Sequence, residues 1–239
     1  MPLLALDSLN KQYGALVVAN ALTFSVGEGE IVGILGPNGA GKTTLFNMIA
    51  GSVRPSGGRI QFNDRDISDL GSSERCRLGI SRSFQVPHPF NGMTVFENVL
   101  VGATFGRTPD DPETRALAVL EKTGMRPKAN RMASTLGLLD RKRLEMARAL
   151  ATNPTLLLLD EIAGGLTDSE CVSLVSAIRD IHSSGVTIIW IEHVVHALLA
   201  AATRLIVINF GKLFADGNPE EVIASREVKT IYLGGDAVV

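Results

Sequence analysis

Apolar residues recur along the chain with two different periods, and the alternation between them predicts the architecture. "LLALDSL" (Leu3–Leu9) and "ALTFSVGEGEIVGIL" (Ala21–Leu35) read as short strands separated by glycine turns. "EIVGIL" ends at Gly36, and a helical pattern begins near Gly41. After Gln85 the texture changes. Pro87, Pro89 and Gly92 punctuate the chain, and "TVFENVLVGATF" and "PETRALAVLEKTGM" carry helical spacing. "KRLEMARAL" (Lys142–Leu150) is an amphipathic helix. "TLLLLDE" (Thr155–Glu161) is a continuous apolar run, as expected of a strand covered on both faces of a parallel sheet. "TDSE" (Thr167–Glu170) has the spacing of a capping box, and Cys171, Leu174, Val175, Ile178 and Ile181 follow on one helical face. "VTIIWIE" and "RLIVIN" are two further strands. Strands alternating with helices predict an α/β protein. A helical insertion from Val86 to Asn153 divides it, leaving 1–85 and 154–239 as the α/β part.

Composition narrows the function classes. Lys and Arg total 23 against 25 Asp and Glu, so no basic excess points to nucleic acid. The two cysteines, Cys76 and Cys171, have no metal-site spacing and read as reduced thiols. The N-terminus lacks the basic start of a signal peptide. The most apolar zone, Val186–Phe210, is interrupted by Glu192, His193, His196 and Arg204. It therefore offers no uncharged run of the ~18 residues that a membrane span needs. The expectation is a soluble chain that can dock on a membrane protein.

The sharpest chemical signal is "GPNGAGKTT": Gly36, Pro37, Asn38, Gly39, Ala40, Gly41, Lys42, Thr43 and Thr44. It fits G-x-x-x-x-G-K-[ST], with a strand before it and a helix after it. The glycines let backbone N–H groups close around phosphates, and the helix N-terminus adds partial positive charge. Lys42 reaches the β- and γ-phosphates, and the Thr43 hydroxyl is placed for Mg²⁺. Farther on, "LLLLDE" ends a buried strand with two carboxylates. Asp160 suits Mg²⁺, directly or through water, and Glu161 suits polarising a water for attack on the γ-phosphate.

With these motifs the chain resembles the ATP-binding-cassette ATPases over nearly its whole length. "GPNGAGKTT", "SFQ", "KRLEMARAL", "LLLLDE" and "IEH" carry the likeness. Within them it is most similar to the ATPase subunits of branched-chain amino acid importers, through "RSFQVPHPFNGMTVFENVLVG", "KRLEMARALATNP", "LDEIAGGL" and "GNPEEVIASREVKTIYLG". The resemblance implies a P-loop NTPase with a mixed β-sheet core, an antiparallel β edge and a helical subdomain. It implies ATP and Mg²⁺ as cofactors, Lys42, Glu161 and His193 as catalytic residues, and Tyr13 as the aromatic that stacks on adenine. It makes Gln85 the loop glutamine that senses the metal and faces the membrane subunit. It also implies a place on the inner face of the cell membrane, permease subunits, a second ATPase subunit, identical or different, and indirectly a solute-binding protein. Charges at Phe90 and Met93, in the apolar loop after Gln85, are expected to uncouple transport.

One departure stands out. The family's signature loop, L-S-G-G-Q, contacts the γ-phosphate of ATP held by the other subunit of a dimer. Anchored on "KRLEMARAL", the matching residues are Leu136, Gly137, Leu138, Leu139 and Asp140. A hydroxyl donor and two glycines are lost, and an acid stands where an amide is usual. The expectation is a weakened signature that pairs with a partner's intact one. Ile162 stands where the family has proline, and Thr167 where it has aspartate. Two alternatives stay open: a nucleotide-binding regulatory subunit with little hydrolysis, and an ATPase of another transporter class. Repair or translation cassettes usually carry coiled-coil insertions or tandem cassettes, for which this chain has no room.

Overall fold

The computed structural model describes residues 1–107 and 111–233. In chain order the first elements are β1 (Leu4–Tyr13), β2 (Leu16–Val26), β3 (Ile31–Leu35), α1 (Lys42–Ile49), β4 (Gly57–Phe62) and β5 (Arg65–Asp66). Then come α2 (Ser72–Leu78), β6 (Ile80–Arg82), α3 (Val95–Phe105), α4 (Pro112–Lys122), α5 (Leu138–Ala151) and β7 (Leu156–Asp160). The last are α6 (Asp168–Ser183), β8 (Thr187–Ile191), α7 (Val195–Ala201), β9 (Arg204–Asn209), β10 (Lys212–Gly217), α8 (Pro219–Ala224) and α9 (Arg226–Leu233). The chain forms two compact units, one of Met1–Gly71 with Ile189–Val239 and one of Ser72–Ile188.

In the first unit, β1 lies between β2 and β4 in an antiparallel sheet with β5 at its edge. The pairing of β1 with β2 is irregular, with register shifts after Leu6, Leu9 and Lys11. The run read as "ALTFSVGEGEIVGIL" divides between this sheet and another, because the turn after Val26 lets β3 leave the antiparallel partner. β3 pairs in parallel with β9, and β10 returns antiparallel to β9. All five residues of β3 are buried, and Ile34, Leu35, Leu45, Phe46, Ile206 and Ile208 are core residues at full burial. At about 25 cal/mol per Å² of apolar surface removed from water, such side chains contribute ~1.5–3 kcal/mol each. They hold fixed the end of β3 from which the glycine loop springs.

In the second unit, β6 pairs in parallel with β7, and α3, α4 and α5 pack on one another. Gly102 permits the close crossing of α3 over α5, since a Cβ there would lie 2.4 Å from the Arg148 carbonyl oxygen. The helical readings of "TVFENVLVGATF" and "PETRALAVLEKTGM" correspond to α3 and α4. The "TDSE" reading corresponds to a formed capping box, with Thr167 and Glu170 bonding reciprocally at the start of α6. Thr167 thus has a local structural duty at the position where the family carries aspartate.

Candidate functional site

The glycine loop follows from its backbone. Gly41 has φ 100°, and a Cβ there would come within 2.2 Å of the Val18 carbonyl oxygen. Gly36 is confined as tightly, with the Ile208 carbonyl oxygen 2.3 Å from its would-be Cβ. Any side chain at either position would push the loop off β2 or β9. The wall is pinned by Gly211, whose N–H donates to the Ala40 carbonyl (3.0 Å) and whose carbonyl accepts from Asn20 N–H (2.8 Å). Gly41 is also the N-cap of α1, with no side-chain capping bond and no acid in the first turn. A helix start without a capping side chain or an acid suits a ligand that accepts hydrogen bonds. Lys42 is buried and curls back over the loop, its Nζ donating to the carbonyls of Gly36 (2.7 Å) and Pro37 (3.0 Å). Asn38, Gly39 and Thr43 are exposed along the rim.

Two further predicted residues belong to this unit. Tyr13 ends β1 and is 49% exposed, with the Lys11 ammonium 4.9 Å from its ring centre. His193 follows β8 and is exposed. The preceding Glu192 N–H reaches the Ile34 carbonyl (3.4 Å), so His193 stands at the end of β3 from which the glycine loop leaves.

The carboxylates belong to the second unit. Asp160 and Glu161, at the end of β7, are both buried. Glu161 takes φ 47°, a left-handed conformation that costs a non-glycine residue ~1–3 kcal/mol and concentrates at functional positions. Its Oε2 accepts a short hydrogen bond from Gln85 Nε2, so two predicted residues meet directly. Asp160 has one oxygen used and one bare. Oδ2 accepts from the Arg82 guanidinium at 2.6 Å, while Oδ1 is buried and has no hydrogen-bond partner among the described residues. A carboxylate oxygen in that state fits a hydrated divalent cation, because the cation or its water would satisfy it. Arg82 and Lys142, whose Nζ donates to the Glu161 carbonyl at 3.3 Å, were not singled out by sequence. An arginine on a buried strand and a lysine on the apolar face of a helix are themselves signals, since each requires a partner.

The loop Leu136–Asp140 has another character. Gly137 is the N-cap of α5 in an extended conformation (φ −70°), with no side-chain cap and, among the described residues, with open space around its would-be Cβ. Leu138 is 46% exposed and lies beside Gly165. Arg141 holds the approach from behind, donating to the Leu136 and Ser134 carbonyls. The Asp140 carboxylate accepts from Lys128 Nζ with both oxygens, at 2.6 Å each. Its charge is therefore paired, which largely cancels any repulsion of a phosphate by this acid.

No helix among the described residues is long and apolar enough to cross a membrane. A profile of the family described as ABC transporter matches residues 19–164. The branched-chain amino acid transport ATP-binding protein LivG of Salmonella typhimurium is 37% identical, with 98% of both chains aligned. The lipopolysaccharide export ATP-binding protein LptB of Acidithiobacillus ferridurans is 36% identical, with 97% of both aligned. The crystal structure of a nucleotide-free ATP-binding cassette from an ABC transporter superposes with a TM-score of 0.90 at 28% identity, covering 98% of this chain and 100% of that one. This glycine loop, this pair of carboxylates and these full-length likenesses lead to one conclusion: the chain belongs to the ABC transporter family, as an ATP-hydrolysing subunit of a transport system.

Proposed function

We propose that this chain powers an importer for branched-chain or other hydrophobic amino acids, and that its ATP sites are unequal. The observation that carries the first part is the likeness to LivG along 98% of both chains. In this reading Tyr13 stacks on adenine, which its exposed ring at a strand end supports. Gly36–Thr44 enfold the phosphates with backbone N–H groups, and Lys42 exchanges its two carbonyl partners for phosphate oxygens. Thr43, Asp160 and Gln85 would hold Mg²⁺, which would supply positive charge to offset that of the phosphates. Glu161 orients and deprotonates the attacking water once Gln85 releases it, and His193 steadies the γ-phosphate. The helical subdomain 86–153 faces the permease. Asn98 supports this part of the reading, because it ties down Phe90 through both backbone groups and so presents a fixed apolar loop.

The second part rests on the α5 start. The hydroxyl of the family's serine is absent at Gly137, and bulky Leu138 and Leu139 stand where glycines admit a phosphate. Paired with an ATPase subunit whose signature is intact, the chain would complete one strong site and leave the other weak.

LptB keeps a second cargo class in play at nearly equal identity. Uptake of radiolabelled leucine into proteoliposomes decides between them, using the chain with its permease subunits and solute-binding protein. ATP-dependent leucine accumulation that vanishes with Glu161→Gln supports the importer. Hydrolysis that responds to lipopolysaccharide and not to leucine-loaded binding protein overturns it.

A further inference from the structure

Arg82 is the immediate neighbour of the proposed metal carboxylate. It ends β6, three residues before Gln85. The parallel register sets Arg82 opposite Leu158 on β7. Side chains two apart on a strand share a face, so Asp160 lies within reach of Arg82. The guanidinium donates to Asp160 Oδ2 at 2.6 Å, with side-chain exposures of 8% and 3%. Ser83 adds a second tie, its N–H donating to the Leu158 carbonyl (2.9 Å). Gln85 then bonds to Glu161. A four-residue segment therefore grips both carboxylates, Arg82 on the first and Gln85 on the second.

From this geometry we infer that Arg82 is a positioning residue for the metal carboxylate, fixing Asp160 so that Oδ1 alone is presented to the hydrated cation. The inference rests on the reading that Asp160 holds Mg²⁺. A carboxylate bound by one oxygen to a fixed donor loses its rotational freedom, so the other oxygen keeps one direction. A planar guanidinium anchored on a buried strand does this better than a flexible ammonium. Outer partners of metal-bound groups commonly matter by ~10–100-fold in metal affinity.

The rival role for Arg82 is simple charge neutralisation, and the two predict opposite signs. If Arg82 only offsets the carboxylate, removing it deletes a positive charge near the cation and tightens metal binding. If Arg82 positions Asp160, removing it weakens metal binding. The test is Mn²⁺ titration, followed by electron paramagnetic resonance, of the full chain saturated with a β,γ-imido ATP analogue. Affinity for the analogue is measured in parallel in EDTA. The expectation for Arg82→Gln is a ~10-fold rise in half-saturating Mn²⁺, with the affinity in EDTA unchanged. Arg82→Lys should fall between this variant and the parent. In the double variant Arg82→Gln/Asp160→Asn, the shift should be no larger than in Asp160→Asn alone. That double variant also removes the unpaired buried carboxylate, so it reports on the cycle even if Arg82→Gln folds poorly. Unchanged or tighter Mn²⁺ binding in Arg82→Gln, with Asp160→Asn weakened, overturns the inference and leaves the Asp160 reading intact. Unchanged binding in Asp160→Asn overturns that reading itself, and the inference with it.

Discussion

The starts of α1 and α5 are built alike and finished differently. Both have glycine at the N-cap, at Gly41 and Gly137, and neither has a side-chain capping bond. By contrast α3, α4 and α6 begin with Thr94, Asp111 and Thr167, each accepting a hydrogen bond from its own helix. A helix start that leaves its N–H groups uncapped has them available to a ligand. At α1 the surroundings complete the cradle: Gly41 is left-handed, its Cβ space is filled by the Val18 carbonyl, and Lys42 lies folded over the loop. At α5 they do not. The space beside Gly137 is open, Leu138 projects outward, and the nearby cation, Lys128, is engaged by Asp140. The absence of a capping side chain is thus common to both, and the difference lies in confinement and in the lysine folded over the loop.

The largest effect that separates the two starts is expected from alanine at each N-cap. Gly41→Ala forces a Cβ onto a backbone oxygen at φ 100°, a conformation that alone costs ~1–3 kcal/mol. Nucleotide binding should fall by at least ~100-fold in equilibrium titration. Gly137→Ala meets nothing within 4 Å and has ordinary φ. It should leave nucleotide affinity unchanged and cost at most ~1 kcal/mol in denaturant unfolding. Equal losses in the two variants would dissolve the distinction.

A smaller effect probes Lys128. Its pair with Asp140 is partly exposed, with side-chain exposures of 35% and 16%. Asp140→Asn should therefore lower stability by only ~0.2–1 kcal/mol, with the loss shrinking in high salt. A loss of several kcal/mol would mean that Asp140 organises the α5 start in a way the pair does not explain.

The smallest effect concerns acid. Glu97 and Glu170 are held below their usual pKa, first by backbone N–H bonds from Thr94 and Thr167 and then by the threonine hydroxyls. Asp111 is lowered in the same way by Thr114. A depressed carboxylate pKa stabilises the folded state above the unfolded value, and that contribution is lost as pH falls through the folded value. Amide protection at the starts of α3, α4 and α6 should therefore weaken as pH drops below ~4. The start of α1, which has no acid in its first turn, should show no such extra loss in hydrogen exchange.

What sequence could reveal follows the range of the interactions. The glycine loop, the capping box at Thr167 and the buried strand before Asp160 are local, so spacing alone displays them. The irregular pairing of β1 with β2 depends on bulges that no alternation pattern records. Arg82 with Asp160, and Gln85 with Glu161, join residues 78 and 76 positions apart. These contacts exist because β6 runs beside β7, which no stretch of either strand states. Asp140 shows the same limit at shorter range. Sequence shows an acid where an amide is usual, and only the approach of Lys128, 12 residues earlier in the chain, shows its charge to be matched.

In the proposed function the α5 start is an incomplete phosphate contact. Steady-state phosphate release tests it most directly, comparing the parent chain with Gly137→Ser/Leu138→Gly/Leu139→Gly, in which Asp140 stays paired with Lys128. Restoring one well-placed donor and its access in such a site is worth roughly 10²–10³ in rate. The restored variant should hydrolyse ATP faster by about that factor, and the parent should approach it only on addition of a partner ATPase with an intact signature. A parent chain that alone already matches the restored variant would contradict the account.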